Sequence, residues 1–205
     1  MLRIIAGTKR GVHLKIPPLE ITRPTSDRAR GAIFNILEHN FLHKDGSTRL
    51  REACVLDAFA GSGALGLEAL SRGAKHTFFI EPHPLARQIL MKNIALLDMT
   101  KKTTVLQKAI SDSWTLPTSL EQCFDLIFLD PPYGKDYASL TLLNKDFLRT
   151  LKPNALIVLE TEAKTSLDIL TSHYNIIDQR HYGRGKISFL INHNFLIGEI
   201  PKKDF

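Results

Sequence analysis

Cysteine is scarce in this chain of 205 residues: only Cys54 and Cys123 occur. Neither sits in a Cys-x-x-Cys or cysteine–histidine spacing, so the sequence predicts reduced thiols, no disulfide framework and no metal site. Long apolar runs are missing too. None reaches the roughly 18 residues of a membrane span. The opening Met1-Leu2-Arg3-Ile4-Ile5-Ala6-Gly7 is too short and mixed for a secretory signal. Internal repeats and low-complexity segments are likewise absent. These absences exclude membrane-spanning and disulfide-stapled classes and give the expectation of a cytoplasmic, metal-free protein.

Acidic side chains are sparse at one end. Residues 1–30 hold seven basic side chains (Arg3, Lys9, Arg10, Lys15, Arg23, Arg28, Arg30) against Glu20 and Asp27. That imbalance supplies five of the net six positive charges of the chain. A basic lobe of this kind attracts a phosphate backbone. Arg3, Lys9, Arg10, Lys15 and Arg23 are the candidate nucleic-acid contacts; a merely solvated basic surface is the alternative.

What is present suffices for one domain with a small appendage, since 43% of residues are hydrophobic. Residues 2–5 and 12–16 read as a short hairpin across Gly7 to Gly11. Thr25 or Ser26 can cap a helix running through Ile33 and Leu37. Strand candidates then alternate with helices: strand 54–58, helix 64–72, strand 77–81, helix 83–97, strand 103–107, strand 125–130, helix 138–151, strand 155–160, helix 163–171. Two further strands, 174–179 and 187–192, follow. The pattern predicts an α/β doubly wound sheet ending in a hairpin. Its expected division is a basic hairpin appendage over 1–22, a main domain over 23–198 and a tail over 199–205.

Two segments carry chemistry. The first runs Val55-Leu56-Asp57-Ala58-Phe59-Ala60-Gly61-Ser62-Gly63-Ala64-Leu65-Gly66. It reads as a strand, a G-x-G-x-x-G turn and a helix start, which brings backbone N–H donors close to a ligand. Glu81 follows about 20 residues later at a strand end, where a ribose-binding acid belongs. Asp57, at the tip of the first strand, would repel a pyrophosphate and suits a cation such as a sulfonium. The second segment is Asp130-Pro131-Pro132-Tyr133, just past the buried run Leu126 to Leu129. Pro131 leaves its carbonyl as an acceptor without an N–H beside it, and Tyr133 offers a flat face. Two acceptors beside a ring suit a planar base bearing an exocyclic amine.

The order Asp57 to Gly63, then Ile80-Glu81-Pro82, then Asp130-Pro131-Pro132-Tyr133 resembles class I S-adenosylmethionine-dependent methyltransferases acting on base amines. The N-terminal segments narrow the resemblance. Arg3-Ile4-Ile5-Ala6-Gly7, Thr22-Arg23-Pro24-Thr25-Ser26-Asp27-Arg28-Ala29-Arg30 and Phe34-Asn35-Ile36-Leu37 look like the RsmD family. The resemblance implies a seven-stranded sheet with its last strand antiparallel, preceded by a small β-hairpin. It implies methyl transfer to the N2 amine of a guanine in 16S ribosomal RNA, free or within the assembling small subunit, by a monomer. The expected cofactor contacts are Thr25, Asp57, Gly61, Ser62, Gly63, Glu81, Pro82 and Ala109. The expected catalytic set is Asp130, Pro131 and Tyr133. Many relatives carry an Asp-Ala pair to read the adenine edge; here Lys108-Ala109 leaves only the Ala109 N–H for that task. An adenine-N6 methyltransferase of RNA or DNA, an NAD-linked oxidoreductase and a non-enzymatic assembly factor stay open as alternatives.

Overall fold

The computed structural model describes residues 2–18, 27–43, 45–111, 114–132 and 136–192. The helix α1 spans Asp27–His39, and alternating elements follow: β1 (Cys54–Asp57), α2 (Ala64–Ser71), β2 (His76–Ile80), α3 (Pro84–Leu96), β3 (Thr103–Leu106) and β4 (Phe124–Leu129). Then come α4 (Tyr137–Leu142), α5 (Lys145–Thr150), β5 (Leu151–Glu162), β6 (Tyr174–Tyr182) and β7 (Gly185–Asn192). The seven strands form one sheet in the order β3-β2-β1-β4-β5-β7-β6. The first five pair in parallel, and β7 lies antiparallel between β5 and β6. This is the topology expected from the sequence, with the antiparallel strand last in the chain. The strand order reverses between β1 and β4, and in open α/β sheets ligands bind at the carboxyl ends beside that point.

Parallel strands are apolar on both faces because helices cover both. Val55, Phe79, Phe128 and Val158 pack with Ile33, Phe34 and Leu37 of α1. Their sequence neighbours Leu56, Ile80, Leu129 and Leu159 pack on the opposite side with Ile110, Trp114 and Phe147. The alternation has a consequence at the strand tips. Asp57, Glu81, Asp130 and Glu160 each stand two residues beyond Val55, Phe79, Phe128 and Val158, in the same phase. Four adjacent strands, β2-β1-β4-β5, therefore each present a carboxylate in this phase; Asp57, Glu81 and Asp130 stand at or just past their strand ends, and Glu160 lies in β5, two residues before its end.

The N-terminal hairpin forms through Ile4 N–H to Val12 O (3.0 Å) and Leu14 N–H to Leu2 O (2.9 Å). Its ladder is minimal, a single Arg3–His13 bridge instead of two full strands. Tertiary contacts hold it. Leu2, Ile4 and Leu14 belong to the main core. The fully buried Glu68 of α2 accepts the N–H of Ile5 (2.7 Å) and Ala6 (2.9 Å), and also Arg72 Nε (2.7 Å). Arg72 in turn reaches Glu38 of α1 (2.9 Å) and lies over the Phe34 ring. Arg30, wholly buried, donates to the Arg3 carbonyl and to Asp27. Burial lowers its pKa, while Asp27 and Glu68 oppose the shift. At the hairpin turn Gly7 has φ +80°, and a Cβ there would sit 1.9 Å from the Ser71 carbonyl oxygen, so only glycine permits this approach.

Two sequence expectations fail. The helix expected over 163–171 is one 3-10 turn, Asp168–Leu170. Leu167 and Leu170 are buried and Ile169 is 60% exposed, so an i,i+3 pair in a single turn buries the apolar groups. The helix expected over 138–151 is two, because the Asn144 side chain accepts Phe147 N–H (3.0 Å) and starts α5 afresh. The expected division at residue 22 and the tail over 199–205 lie outside the described residues. Among the described residues no helix is long and apolar enough to cross a membrane. Cys54 and Cys123 are free thiols, with their sulfurs 3.2 Å apart.

Glu68→Ala should lower the unfolding free energy by about 3–5 kcal/mol, because it strands Arg72 and two backbone donors in the interior. Urea denaturation measures this, and a loss under about 1 kcal/mol would mean the hairpin is held by its apolar residues alone.

Candidate active site

The loop after β1 is stitched to both neighbouring strand tips. Ala58 N–H donates to Phe128 O (3.0 Å) and Ala60 N–H to Ile80 O (3.1 Å). Gly61 has φ +53° and donates its N–H to Glu81 Oε2 (2.8 Å). The other oxygen of Glu81 accepts His83 N–H (2.8 Å). The acid thus stands rigidly at the β2 tip, 6% exposed. Gly63 has φ +81° and caps α2, and a Cβ there would lie 2.4 Å from the Leu90 methyl. The loop must therefore be glycine at that point. The Ser62 carbonyl accepts from Asn93 Nδ2 (2.9 Å), and the fully buried Asn93 also exchanges both its polar atoms with the backbone of Lys15 (2.8 and 2.9 Å). One side chain on α3 joins the glycine loop to the end of the hairpin.

Asp57 closes the cradle. It is 2% exposed, and its Oδ2 accepts the Gly66 N–H (3.0 Å) in the first turn of α2. Burial pushes its carboxyl up to about 7; the Gly66 hydrogen bond opposes this, while the charges of Asp130 and Glu81 add to it. A cation placed here would restore the ionised form. The residues fit a ligand that carries positive charge near Asp57 and hydroxyls near Glu81, whose two oxygens each keep a second lone pair.

Of the other expected contacts, Pro82 is exposed and its carbonyl accepts from Arg87 (2.9 Å), which also holds the Glu81 carbonyl (3.1 Å). Ala109 is exposed, and the Lys108 ammonium turns to the Thr115 carbonyl (2.8 Å). Asp130 is half-buried and Pro131 buried at the β4 tip. Pro131 and Pro132 line an open cavity of about 350 Å³ with Glu160 and Thr161 of β5. Phe59 packs against Tyr137 with ring centroids 5.5 Å apart. Thr25, Tyr133 and Arg23 lie outside the described residues.

Arg3 and Arg10 are exposed and line one depression of about 390 Å³, together with Arg28 of α1. Lys15 is exposed elsewhere on the hairpin and Lys9 is half-buried. Sequence reasoning missed Asn93, Glu68 and Arg87. All three act on backbone atoms of other segments; Glu68 and Asn93 are fully buried, while Arg87 is only half-buried.

The parallel sheet, the glycine cradle and the acid at the next strand tip define a class I methyltransferase fold. The solved structure named "Putative methyltransferase yhhF from Escherichia coli" matches with a TM-score of 0.74 at 30% identity, covering 93% of this chain and 97% of that one. A family model described as conserved hypothetical protein 95 matches residues 2–191, and the chain belongs to this family, the RsmD family. Ribosomal RNA small subunit methyltransferase D of Haemophilus influenzae is 36% identical over 185 residues, 89% of each chain. Its namesake in Escherichia coli K12 is 33% identical, covering 89% of this chain and 86% of that one.

A group whose pKa is raised in the fold stabilises it fully below its unfolded value and loses that contribution as pH rises. For Asp57 the window runs from about pH 4 to about pH 7. Asp57→Asn should therefore gain on the wild type by up to about 4 kcal/mol across that window. Parallel urea titrations at pH 4.5 and 7.5 test this; a constant difference between the two proteins would place the ionised acid comfortably in the fold.

Proposed function

We propose that this protein transfers a methyl group from S-adenosylmethionine to the N2 amine of a guanine in small-subunit (16S) ribosomal RNA. The observation that carries the reading is the row of carboxylates on four adjacent strands, with the Asp130-Pro131 pair next to Asp57 and the glycine cradle. The names of the relatives, ribosomal RNA small subunit methyltransferases, support the RNA. The same buried acid favours a sulfonium over the pyrophosphate of NAD, because a cation restores its charge and an anion drives it further toward the neutral form.

Glu81 would hold the ribose hydroxyls, and Asp57 with the Gly61 to Gly63 backbone would hold the methionine part. Bound S-adenosylmethionine supplies an electrophilic methyl on a sulfonium. The N2 amine of guanine is a weak nucleophile because its lone pair is delocalised into the ring. Asp130 and the Pro131 carbonyl accept its two hydrogens and hold the nitrogen pyramidal, with its lone pair free. Positive charge would grow on that nitrogen as the new N–C bond forms and the methyl–sulfur bond breaks, leaving a neutral thioether, and the carboxylates would stabilise it. The amine proton then leaves to Asp130 or to water. Tyr133 would stack on the base at roughly 1–3 kcal/mol. The base must be splayed from its neighbours, so a single-stranded loop or bulge is the target. Arg3, Lys9, Arg10, Lys15 and Arg23 would take the RNA backbone. Nucleoside analysis of ribosomal RNA from a deletion strain tests the whole reading: loss of an N2-methylguanosine supports it, and loss of an N6-methyladenosine would turn it to the other base.

Glu81→Ala should weaken S-adenosylmethionine binding by roughly 1.5–3 kcal/mol, the value of a hydrogen bond to a charged group. Asp130→Ala should keep cofactor affinity within a few-fold and abolish methyl transfer. Calorimetry and single-turnover kinetics separate the two, and a full rate in the Asp130 variant would remove the amine clamp.

RNA affinity should fall steeply with salt. Neutralising Arg3, Lys9, Arg10 and Lys15 together should flatten the log–log slope by roughly 0.7–0.9 for each phosphate that no longer meets a cation. An unchanged slope for small-subunit RNA would leave the basic hairpin as solvated surface.

A further inference from the structure

We infer that Glu160 reads the N1–H of the target guanine and is the residue that sets guanine over other bases bearing an exocyclic amine. The inference rests on the guanine-N2 reading above. On β4 and β5 the paired residues Leu129 and Leu159 are followed by Asp130 and Glu160. The two acids therefore stand on neighbouring parallel strands, about 4.8 Å apart in the sheet direction, and in the same side-chain phase. Glu160 lines the cavity that Pro131 and Pro132 line.

A base whose N2 amine is held by Asp130 and the Pro131 carbonyl has one other donor on that edge, N1–H, adjacent to N2. A buried donor without an acceptor costs the full desolvation of the group, so an acceptor is required there. Glu160 is the carboxylate one strand over. It can only accept when ionised, and this distinguishes guanine from adenine, whose N1 is itself an acceptor. Thr161, the next residue of β5, pairs with Lys186 and faces the other side of the sheet, so of the two residues Glu160 is the one that meets this edge.

The test uses the full-length protein and the small-subunit RNA fragment that contains the guanine mapped by nucleoside analysis. Three versions carry guanine, 2-aminopurine or adenine at that position. 2-Aminopurine keeps the amine and lacks both N1–H and O6. Wild type should methylate guanine about 10- to 100-fold faster than 2-aminopurine, the effect expected of a charge-assisted hydrogen bond. Glu160→Ala should slow guanine by that factor, leave 2-aminopurine within about threefold, and so level the ratio. The isosteric Glu160→Gln should fall between the two, and its unchanged S-adenosylmethionine affinity by calorimetry would show an intact fold. A guanine preference that survives both substitutions overturns the role of Glu160. Methylation of the adenine version alone by wild type overturns the guanine reading itself and is recognisable as such.

Discussion

The hydrogen bond from the Gly66 N–H to the Asp57 carboxylate is the interaction on which the rest is organised. It fixes where β1 ends and α2 begins, and it keeps a carboxylate in a place that water scarcely reaches. An acid so placed prefers to be neutral, and the neighbouring acids at the β2 and β4 tips increase that preference. The strand ends are therefore electrostatically unfinished, and a cationic ligand would finish them. The glycine loop has little freedom of its own, because Glu81, Ile80, Phe128 and Asn93 each hold one of its backbone groups.

Helix α2 works at both ends. Its first turn is bound to Asp57, and its second half, through Glu68 and Ser71, carries the basic hairpin. Asn93 repeats the connection by a second route, from Lys15 to Ser62. The hairpin proposed to meet a phosphate backbone and the loop proposed to hold the methyl donor thus share one rigid support.

The strands, the sheet class and the two chemical segments were legible in the sequence because each is a local pattern. A short apolar run, a glycine turn and a carboxylate at a fixed offset all lie within about a dozen residues. What was not legible lies in the long-range partners. Glu68 looks like an ordinary solvent-facing acid in a helix until Ile5 and Ala6, more than 60 residues away, are placed beside it. Asn93 is a poor helix former whose reason is visible only with Lys15 and Ser62 in place. The segment 163–171 misleads because an i,i+3 apolar pair serves a single 3-10 turn as well as a helix. Glu160 escapes notice in the sequence because an acid after an apolar strand is common; its meaning comes from standing beside Asp130 across the sheet.

The hairpin has a further consequence, for the order in which the chain takes shape. Its apolar residues and its backbone are completed by partners 62 to 78 positions later in the sequence. During synthesis the hairpin residues therefore have nothing to fold against until α2 and α3 have also emerged. This basic segment waits unfolded until then, and pairing over such separations is slow. A nascent chain cut short before Asn93 would leave this cationic segment without its supporting helix, a species with affinity for any polyanion nearby and no chemistry to perform on it.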